Sequence, residues 1–375
     1  MSLKIFLRRI MILLKAKYSF DKIKETEIVI YDKNGSEIFS ELLYDKKYFI
    51  LHTRFEKINI KIFLKSLLKY GFKWKPINYS ELFLQYLKPK YVVTFIDNDQ
   101  NFWKLKNKFN NIQTCFIQNG YRDNFNDFFD TNKNFSKTLK VDKMFVFNNS
   151  IALEFKKYIQ GETIVIGSFF NNKYKRFKKI DKDILYISSW DDEYSNYNNY
   201  EEYLLFHKVD KLAFELISKF AEKYEFKLKV LGRKIKSYNE EQFYKNLNKN
   251  FIFLKRNTDR KYSYRAVDES KLIVGIDSTL AYESLSRGNK TFLISCRNDF
   301  IDGESFQFGW PKKYGNHGVF WSNTFNEKII FKSLENLIKL NKTNFNEELQ
   351  FFKNEFIYYD EGNAIVKNFF KNNFK

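Results

Sequence analysis

The residues with the clearest chemical pattern run from Gly275 to Glu283, in the order Gly-Ile-Asp-Ser-Thr-Leu-Ala-Tyr-Glu. Asp277 or Ser278 can cap a helix that begins at Thr279, and a helix start offers free N–H groups and a positive dipole end to an anion. Thr279 and Glu283 lie one turn apart, so a phosphate and a ribose could be held together. The pattern predicts nucleotide binding; a capped helix with Glu283 in solvent is the alternative.

A second polar segment, Gln118-Asn119-Gly120-Tyr121-Arg122, follows the apolar run 113–118 of the first half. Gly120 permits a tight turn, Asn119 supplies an amide, and Arg122 could bind an acidic group through two hydrogen bonds. Open parallel sheets bind ligands at the carboxyl ends of their strands. We expect this segment to face the ligand cleft, with a surface turn and a solvated Arg122 as the alternative.

Acidic and histidine side chains also follow predicted strands. Asp97 and Asp99 come directly after the run 91–96, and a carboxylate there can act as a general base or hold a divalent cation. We interpret Asp97 as a cleft residue, although an Asx turn would explain the triplet Asp97-Asn98-Asp99 equally well. His52, which follows the run 48–51, is the alternative base.

Two residues of the second half complete the predicted site. Ser189 follows the run 184–188 and Arg233 follows the run 227–231. Ser189 could bond a diphosphate and Arg233 could neutralise it, which would stabilise a departing nucleotide without a metal. Each residue is weak evidence alone, but the strand ends converge on one place.

These residues need two α/β units to position them. Strand-like runs alternate with helical patterns in both halves, which favours parallel strands joined by crossover helices. The polar, Lys-rich segment 171–182 separates the halves and is interpreted as a linker. We predict domains over 1–170 and 183–350, with a helical tail over 351–375 that crosses back to the first domain. The predicted strands are 27–31, 48–51, 91–96, 113–118, 144–147 and 163–166, then 184–188, 227–231, 251–254, 272–275 and 291–295; the predicted helices are 58–70, 101–109, 149–158, 204–224 and 279–287.

The composition of the chain limits the class of protein and the partners it can have. With 44% hydrophobic residues the chain can bury large cores, and its formal charge of +20 attracts polyanions, although the Lys- and Asn-rich bias of an AT-rich genome explains that charge as well. Cys115 and Cys296 lack paired spacings, which argues against a disulfide scaffold or a zinc site and suits a reducing cytoplasm. Residues 1–17 are too short and too charged to span a bilayer; they could lie on an anionic membrane or pack as an ordinary helix.

The chain resembles bacterial surface-carbohydrate (O-antigen or capsule) biosynthesis proteins, and more distantly the GT-B class of nucleotide-sugar glycosyltransferases and epimerases. Four stretches carry the resemblance, although the epimerases' His-rich and Glu-rich groups are missing. The resemblance implies two Rossmann-like domains facing across a cleft, a nucleotide-sugar donor and a lipid-linked or oligosaccharide acceptor. It also implies a cytoplasmic enzyme at the inner face of the membrane. The four stretches are Phe95 to Asn98, Ile117 to Arg122, Val141-Asp142-Lys143 with Ile166-Gly167-Ser168, and Asp277 through Glu283 to Gly288.

On this interpretation the second domain holds the nucleotide through Ser278, Thr279 and the helix amides, with Glu283 on the ribose. Asp97, or else His52, would deprotonate the acceptor. We expect no metal, no cofactor and no specific nucleic acid. The alternatives are a metal-dependent transferase using Asp97 and Asp99, a polyol-phosphate transferase, and a non-catalytic binder of nucleic acid or membrane surfaces.

Overall fold

The computed structural model describes residues 11–122, 129, 139–177, 183–193, 197, 199–235, 237, 239–353 and 355–374. Within these ranges the chain forms two six-stranded parallel sheets and one small two-stranded pair. The strands, numbered along the chain, are β1 (Lys17–Ser19), β2 (Ile28–Ile30), β3 (Tyr48–Ile50), β4 (Lys57–Asn59), β5 (Tyr91–Thr94), β6 (Gln113–Ile117), β7 (Lys140–Val146), β8 (Gln160–Val165), β9 (Asp183–Ile187), β10 (Lys227–Leu231), β11 (Ile252–Leu254), β12 (Leu272–Gly275), β13 (Thr291–Ile294) and β14 (Trp321–Ser322).

Helices connect most of the successive strands that the structure describes, as parallel pairing favours. They are α1 (Glu37–Leu42), α2 (Ile60–Tyr70), α3 (Pro76–Leu87), α4 (Gln100–Trp103), α5 (Asn149–Tyr158), α6 (Phe169–Lys173), α7 (Tyr200–Lys223), α8 (Glu240–Leu247), α9 (Arg260–Glu269), α10 (Thr279–Ser286), α11 (Glu327–Lys339), α12 (Lys342–Phe352) and α13 (Ala364–Asn373).

The first sheet has the order β3-β2-β5-β6-β7-β8 and the second the order β11-β10-β9-β12-β13-β14. Helices cover both faces of such sheets, so their inner strands are continuously apolar, and every residue of β12 and β13 is buried. The strand order reverses between β2 and β5 in the first sheet and between β9 and β12 in the second. Ligands of doubly wound sheets bind at such reversals, at the carboxyl ends of the strands.

The segment 171–182, predicted to be a polar linker, begins instead inside a helix. Asn171 and Asn172 belong to α6 and are buried. The amide of Asn171 donates to Ser286 Oγ at 2.8 Å, and that of Asn172 donates to the Ile166 carbonyl at 2.7 Å. Their polarity therefore serves buried hydrogen bonds rather than solvation, which composition alone does not distinguish. Residues 178–182 lie outside the described ranges.

Predicted helix limits also differ, and the helix predicted over 204–224 begins four residues earlier, at Tyr200. The stretch 101–109 divides into the single turn α4 and the 3₁₀ turn Leu105–Asn107, and residues 58 and 59 pair in β4 before α2 begins.

The C-terminal helix α13 packs on the first sheet. The ring of Phe369 lies 5.0 Å from that of Phe145 in β7, and the Tyr91 hydroxyl donates to the Asn373 carbonyl at 2.7 Å. These contacts hold the C-terminal helix against the first sheet. None of the described helices is both long and apolar enough to cross a membrane.

Candidate functional site

A cavity of about 430 Å³ lies at the carboxyl ends of β9 and β12, where the order of the second sheet reverses. It is a polar site that contacts both halves of the chain. The structure brings seven of the predicted residues to its wall: Asn119, Ser189, Arg233, Asp277, Ser278, Thr279 and Glu283.

The start of α10 forms one side of this cavity. A side chain at Gly275 would place its Cβ only 2.9 Å from that of Ala281, so glycine lets the helix approach the end of β12 closely. Ser278 is the N-cap, with φ −70° and ψ 132°, and its hydroxyl makes no capping hydrogen bond. Because the first N–H groups of a helix have no intrahelical acceptor, this end can bind an anion with its amides and the Ser278 hydroxyl.

The segment after β6 meets the start of α10 directly. The Tyr121 N–H donates to Thr279 Oγ1 at 3.0 Å, and the Tyr121 ring stacks on Tyr282 at 4.3 Å between centroids. Gln118 does not line the cavity. Its buried amide instead donates to the Gly120 carbonyl and accepts from the Phe147 N–H, each at 2.8 Å, and so fixes the turn that presents Asn119.

Asp97 is not available as a general base, which corrects the sequence-based interpretation. Its side chain is fully buried, and Arg122 donates to both of its oxygens, with Nε at 2.8 Å from Oδ2. The Asn119 N–H also donates to Asp97 Oδ1, at 3.3 Å. A carboxylate neutralised in this way holds the turn at Asn119 in place. The guanidinium of Arg122 forms its ion pair with Asp97 and is not directed at a ligand.

Asp99 and His52 also lie away from the cavity. Asp99 caps α4 through the Asn101 N–H at 2.8 Å and lines a separate cavity of about 310 Å³ at the strand reversal of the first sheet; burial raises its pKa. His52 lines a third cavity, where its Nδ1 lies 3.6 Å from Glu56 Oε2 and burial lowers its pKa. Neither lines the cavity at α10, so the geometry does not support the sequence-based alternatives that used them as base or metal ligand at that cavity.

Glu283 points into the protein at the cavity wall, not into solvent. It is 6% exposed and accepts hydrogen bonds from Ser168 Oγ and, at 2.9 Å, from the Tyr264 hydroxyl. Burial raises the pKa of Glu283, and these hydrogen bonds partly oppose the rise. The carboxylate is therefore held in a fixed orientation, with acceptor capacity left for a ligand.

Three arginines that we did not single out from the sequence also line the cavity. Arg256 follows β11 by two residues, Arg260 begins α9, and Arg297 follows β13. Arg256 makes no ion pair with any described residue, and burial lowers its pKa. The Arg260 guanidinium lies 3.9 Å from the centre of the Phe170 ring. The rule that carboxyl ends of strands carry ligand residues would have identified Arg256 and Arg297.

Arg297 is the centre of a buried charge network beneath the cavity. Its guanidinium donates to Asp277 Oδ2 at 2.6 Å, to Asp210 Oδ2 at 3.1 Å and to Ser189 Oγ at 2.9 Å. Asp210 is completely buried and also lies 2.9 Å from His207 Nδ1. The network therefore orients Ser189 and Asp277, two of the cavity residues.

Charge at the cavity is unbalanced in favour of an anion. Four arginines line it, against the two carboxylates of Asp277 and Glu283. Arg233 is partly neutralised by Asp191 at 3.3 Å, and Arg297 is fully paired, which leaves Arg256 and Arg260 as the free cations among the described lining residues.

Possible metal ligands cluster elsewhere in the part of the chain that the structure describes. Among the described residues, only Asp191, Asp192 and Glu193 form a group of three close enough together to hold an ion, and they lie outside the cavity lining. Lys234 contacts Asp191 at 2.7 Å and Glu193 at 3.0 Å, so part of the charge of this cluster is already compensated.

A profile of the family described as "putative O-antigen biosynthesis protein" matches residues 115–374 of the chain. No curated protein matches its sequence.

Several solved structures have the same fold at low sequence identity. S. aureus MnaA with UDP is 12% identical, with a TM-score of 0.55 over 94% of this chain and 96% of that one. A Listeria monocytogenes protein described as a "putative UDP-N-acetylglucosamine 2-epimerase" is 10% identical, with a TM-score of 0.54 over 92% and 94%. The wall teichoic acid polymerase TagF with CDPG is 14% identical, with a TM-score of 0.50 over 99% and 96%.

These likenesses establish the fold, and the arrangement of two Rossmann-like domains predicted from the sequence is confirmed.

Proposed function

The chain belongs to the O-antigen biosynthesis family whose profile spans residues 115–374, and from that premise we propose that it is a glycosyltransferase. It transfers a sugar from a nucleotide-sugar donor to a lipid-linked or oligosaccharide acceptor during assembly of a surface polysaccharide. The observation that carries the proposal is the cation-rich cavity at the strand reversal of the second sheet. A nucleoside diphosphate supplies the negative charge that this cavity lacks.

The diphosphate binds at the start of α10. Ser278 and the first amides of the helix donate to its oxygens, and Arg256 and Arg260, which line the same cavity, neutralise its charge. Charge grows on the diphosphate as the sugar leaves, so these donors stabilise the transition state more than the bound donor. Arg233 on the cavity lining fits this role, whereas the Ser189 hydroxyl already donates to Asp210 Oδ1 at 2.6 Å.

Glu283 accepts hydrogen bonds from the ribose. Ser168 and Tyr264 already occupy part of its acceptor capacity and hold the carboxylate still, so a ribose hydroxyl meets a group that needs no reorganisation. Phosphate and ribose sites then lie one helical turn apart on α10, the separation that Thr279 and Glu283 provide.

A thermal-shift panel of UDP, GDP, CDP and CMP compounds tests the proposal. We expect one nucleotide to raise the midpoint of unfolding in a concentration-dependent way, because a ligand that binds only the folded state stabilises it. CDP-linked polyols belong in the panel, since a polyol-phosphate donor would use the same cations. Well-folded protein that responds to none of these compounds would refute the proposal.

Replacing Glu283 by glutamine should weaken nucleotide binding about two- to tenfold, because a neutral amide accepts ribose hydrogen bonds less strongly than a carboxylate, by about 0.5–1.5 kcal/mol. Isothermal titration with the nucleotide that the panel identifies measures the change in affinity. Glu283→Ala, which removes the acceptor entirely, should weaken binding further. Glu222→Ala is the matched control, since that side chain lies exposed on α7. Equal affinity in Glu283→Gln, Glu283→Ala and the control would remove Glu283 from the site.

A further inference from the structure

Helix α2 presents an apolar stripe to solvent that no described part of the chain covers. Its exposed positions are 61, 64, 65, 68 and 69, the spacing of one helix face. Leu64 is 52% exposed and Leu68 85%, and Phe72 in the following turn Gly71–Lys73 is fully exposed. Large apolar side chains collected on one surface mark a contact site more often than scattered ones do.

Lysines flank this stripe. Between residues 57 and 80 the sequence contains six lysines and no acidic residue. Lys61, Lys69, Lys73 and Lys75 are exposed and make no ion pair with a described residue. Lys65 donates to the Tyr86 hydroxyl at 2.8 Å. The face therefore combines apolar side chains at its centre with uncompensated positive charge along its edge.

The described part of the N-terminal segment pairs next to the start of α2 and also carries exposed apolar side chains. Strand β1 pairs in parallel with β4, and β4 leads directly into α2. Tyr18 of β1 is 52% exposed, Phe20 64% and Leu14 77%. Two neighbouring segments of the first half thus expose apolar side chains, and we call the surface formed by Leu64, Leu68 and Phe72 the α2 surface.

We propose that the α2 surface binds an anionic lipid bilayer. Interfacial helices bury apolar side chains at the level of the lipid headgroups while lysines contact anionic lipid, which is the arrangement on α2. A second copy of the chain is a poorer partner, because its lysines would face those of the first copy. Nucleic acid is a poorer partner because it would leave the side chains of Leu68 and Phe72 exposed to water. The surface lies away from the nucleotide cavity, so the proposal stands independently of the proposed function.

Vesicle co-sedimentation tests the proposal with the full chain. Vesicles of phosphatidylglycerol and phosphatidylcholine in equal parts should bind the protein, whereas vesicles of phosphatidylcholine alone should bind it far more weakly. The triple variant Leu64→Ser, Leu68→Ser, Phe72→Ser should lower the partition coefficient by roughly tenfold or more, since each side chain loses burial in lipid. Lys61→Gln and Lys69→Gln should each lower the partition coefficient roughly fivefold, and this difference from the parent should be smaller when salt is added.

The matched control is the triple variant Tyr44→Ser, Leu153→Ser, Phe351→Ser, whose side chains are 92%, 63% and 74% exposed elsewhere on the molecule. It should bind vesicles as the parent does. Equal losses in both variants, or unchanged binding in the α2 variant, would overturn the proposal. The proposal would also be overturned if the parent formed a dimer in sedimentation velocity and the α2 variant did not. Both variants should keep the parent's unfolding temperature and nucleotide response, which separates this test from that of the proposed function.

Discussion

Replacing Arg256 by alanine should weaken binding of a nucleoside diphosphate roughly ten- to hundredfold, because hydrogen bonds to a charged group contribute about 1.5–3 kcal/mol each. Arg256 lines the cavity, and burial lowers its pKa more than the nearby carboxylates of Glu283 and Glu240 raise it. It makes no ion pair with a described residue, so its guanidinium can still donate to a phosphate. Isothermal titration with the nucleotide that stabilises the protein measures the loss.

Thermal stability without ligand gives the second half of this test. Arg256→Ala should change the unfolding temperature only slightly, because the relief of a partly desolvated cation and the loss of its attraction to Glu283 oppose each other. Arg265→Ala is the matched control because that arginine is exposed on α9 and pairs with Glu269 at 2.7 Å. It should leave nucleotide affinity unchanged. Full affinity in Arg256→Ala, or the same loss in both variants, would contradict the assignment.

Sequence patterns predicted the two sheets because parallel strands are continuously apolar and alternate with amphipathic helices. The runs 272–275 and 184–188 correspond closely to β12 and β9, and their carboxyl ends meet at the cavity. Placing Ser278 and Thr279 there needed only the rule on strand ends. Charge pairing is not predictable in this way.

Asp97 illustrates that limit. Asp97 follows β5 as Ser189 follows β9, and both are buried, but Ser189 lines the cavity whereas Asp97 pairs with Arg122, which lies 25 residues further along the chain. Which strand-end residue reaches the cavity depends on such a distant partner. Arg256 shows the converse, because it lines the cavity without an ion pair to any described residue.

Asn171 and Asn172 show a different limit. A polar, Lys-rich stretch is typical of a solvated linker, but these amides form hydrogen bonds with Ser286 and the Ile166 carbonyl inside the protein. The hydrogen-bond partners are supplied by tertiary structure. Composition therefore does not indicate how the segment 171–182 is built.

Replacing Arg297 by methionine should lower the free energy of unfolding by about 3–5 kcal/mol, because it leaves the carboxylate of Asp210 buried without its guanidinium partner. Methionine fills much of the arginine's volume, so packing loss is a smaller part of the effect. Urea denaturation measures the change. Arg265→Met, at an exposed pair, should alter the free energy of unfolding by about 0.5 kcal/mol or less.

The pH dependence of the same variant identifies the cause. Burial raises the pKa of Asp210, but Arg297 and His207 outweigh it and hold the pKa well below its ordinary value. A lowered folded-state pKa stabilises the protein fully above the unfolded value of about 3.9, and this contribution declines as the pH falls below it. The stability difference between parent and Arg297→Met should therefore be constant near neutral pH and shrink in acid.

A double variant separates charge from packing. Asp210→Asn with Arg297→Met removes both charges, so it should recover part of the stability that Arg297→Met loses alone, since no ion then remains buried unpaired. Recovery should come with weaker nucleotide binding, because Ser189 and Asp277 lose the guanidinium that orients them. A double variant as unstable as the sum of its single changes would show that Arg297 stabilises the protein through packing, and that the buried charges act independently.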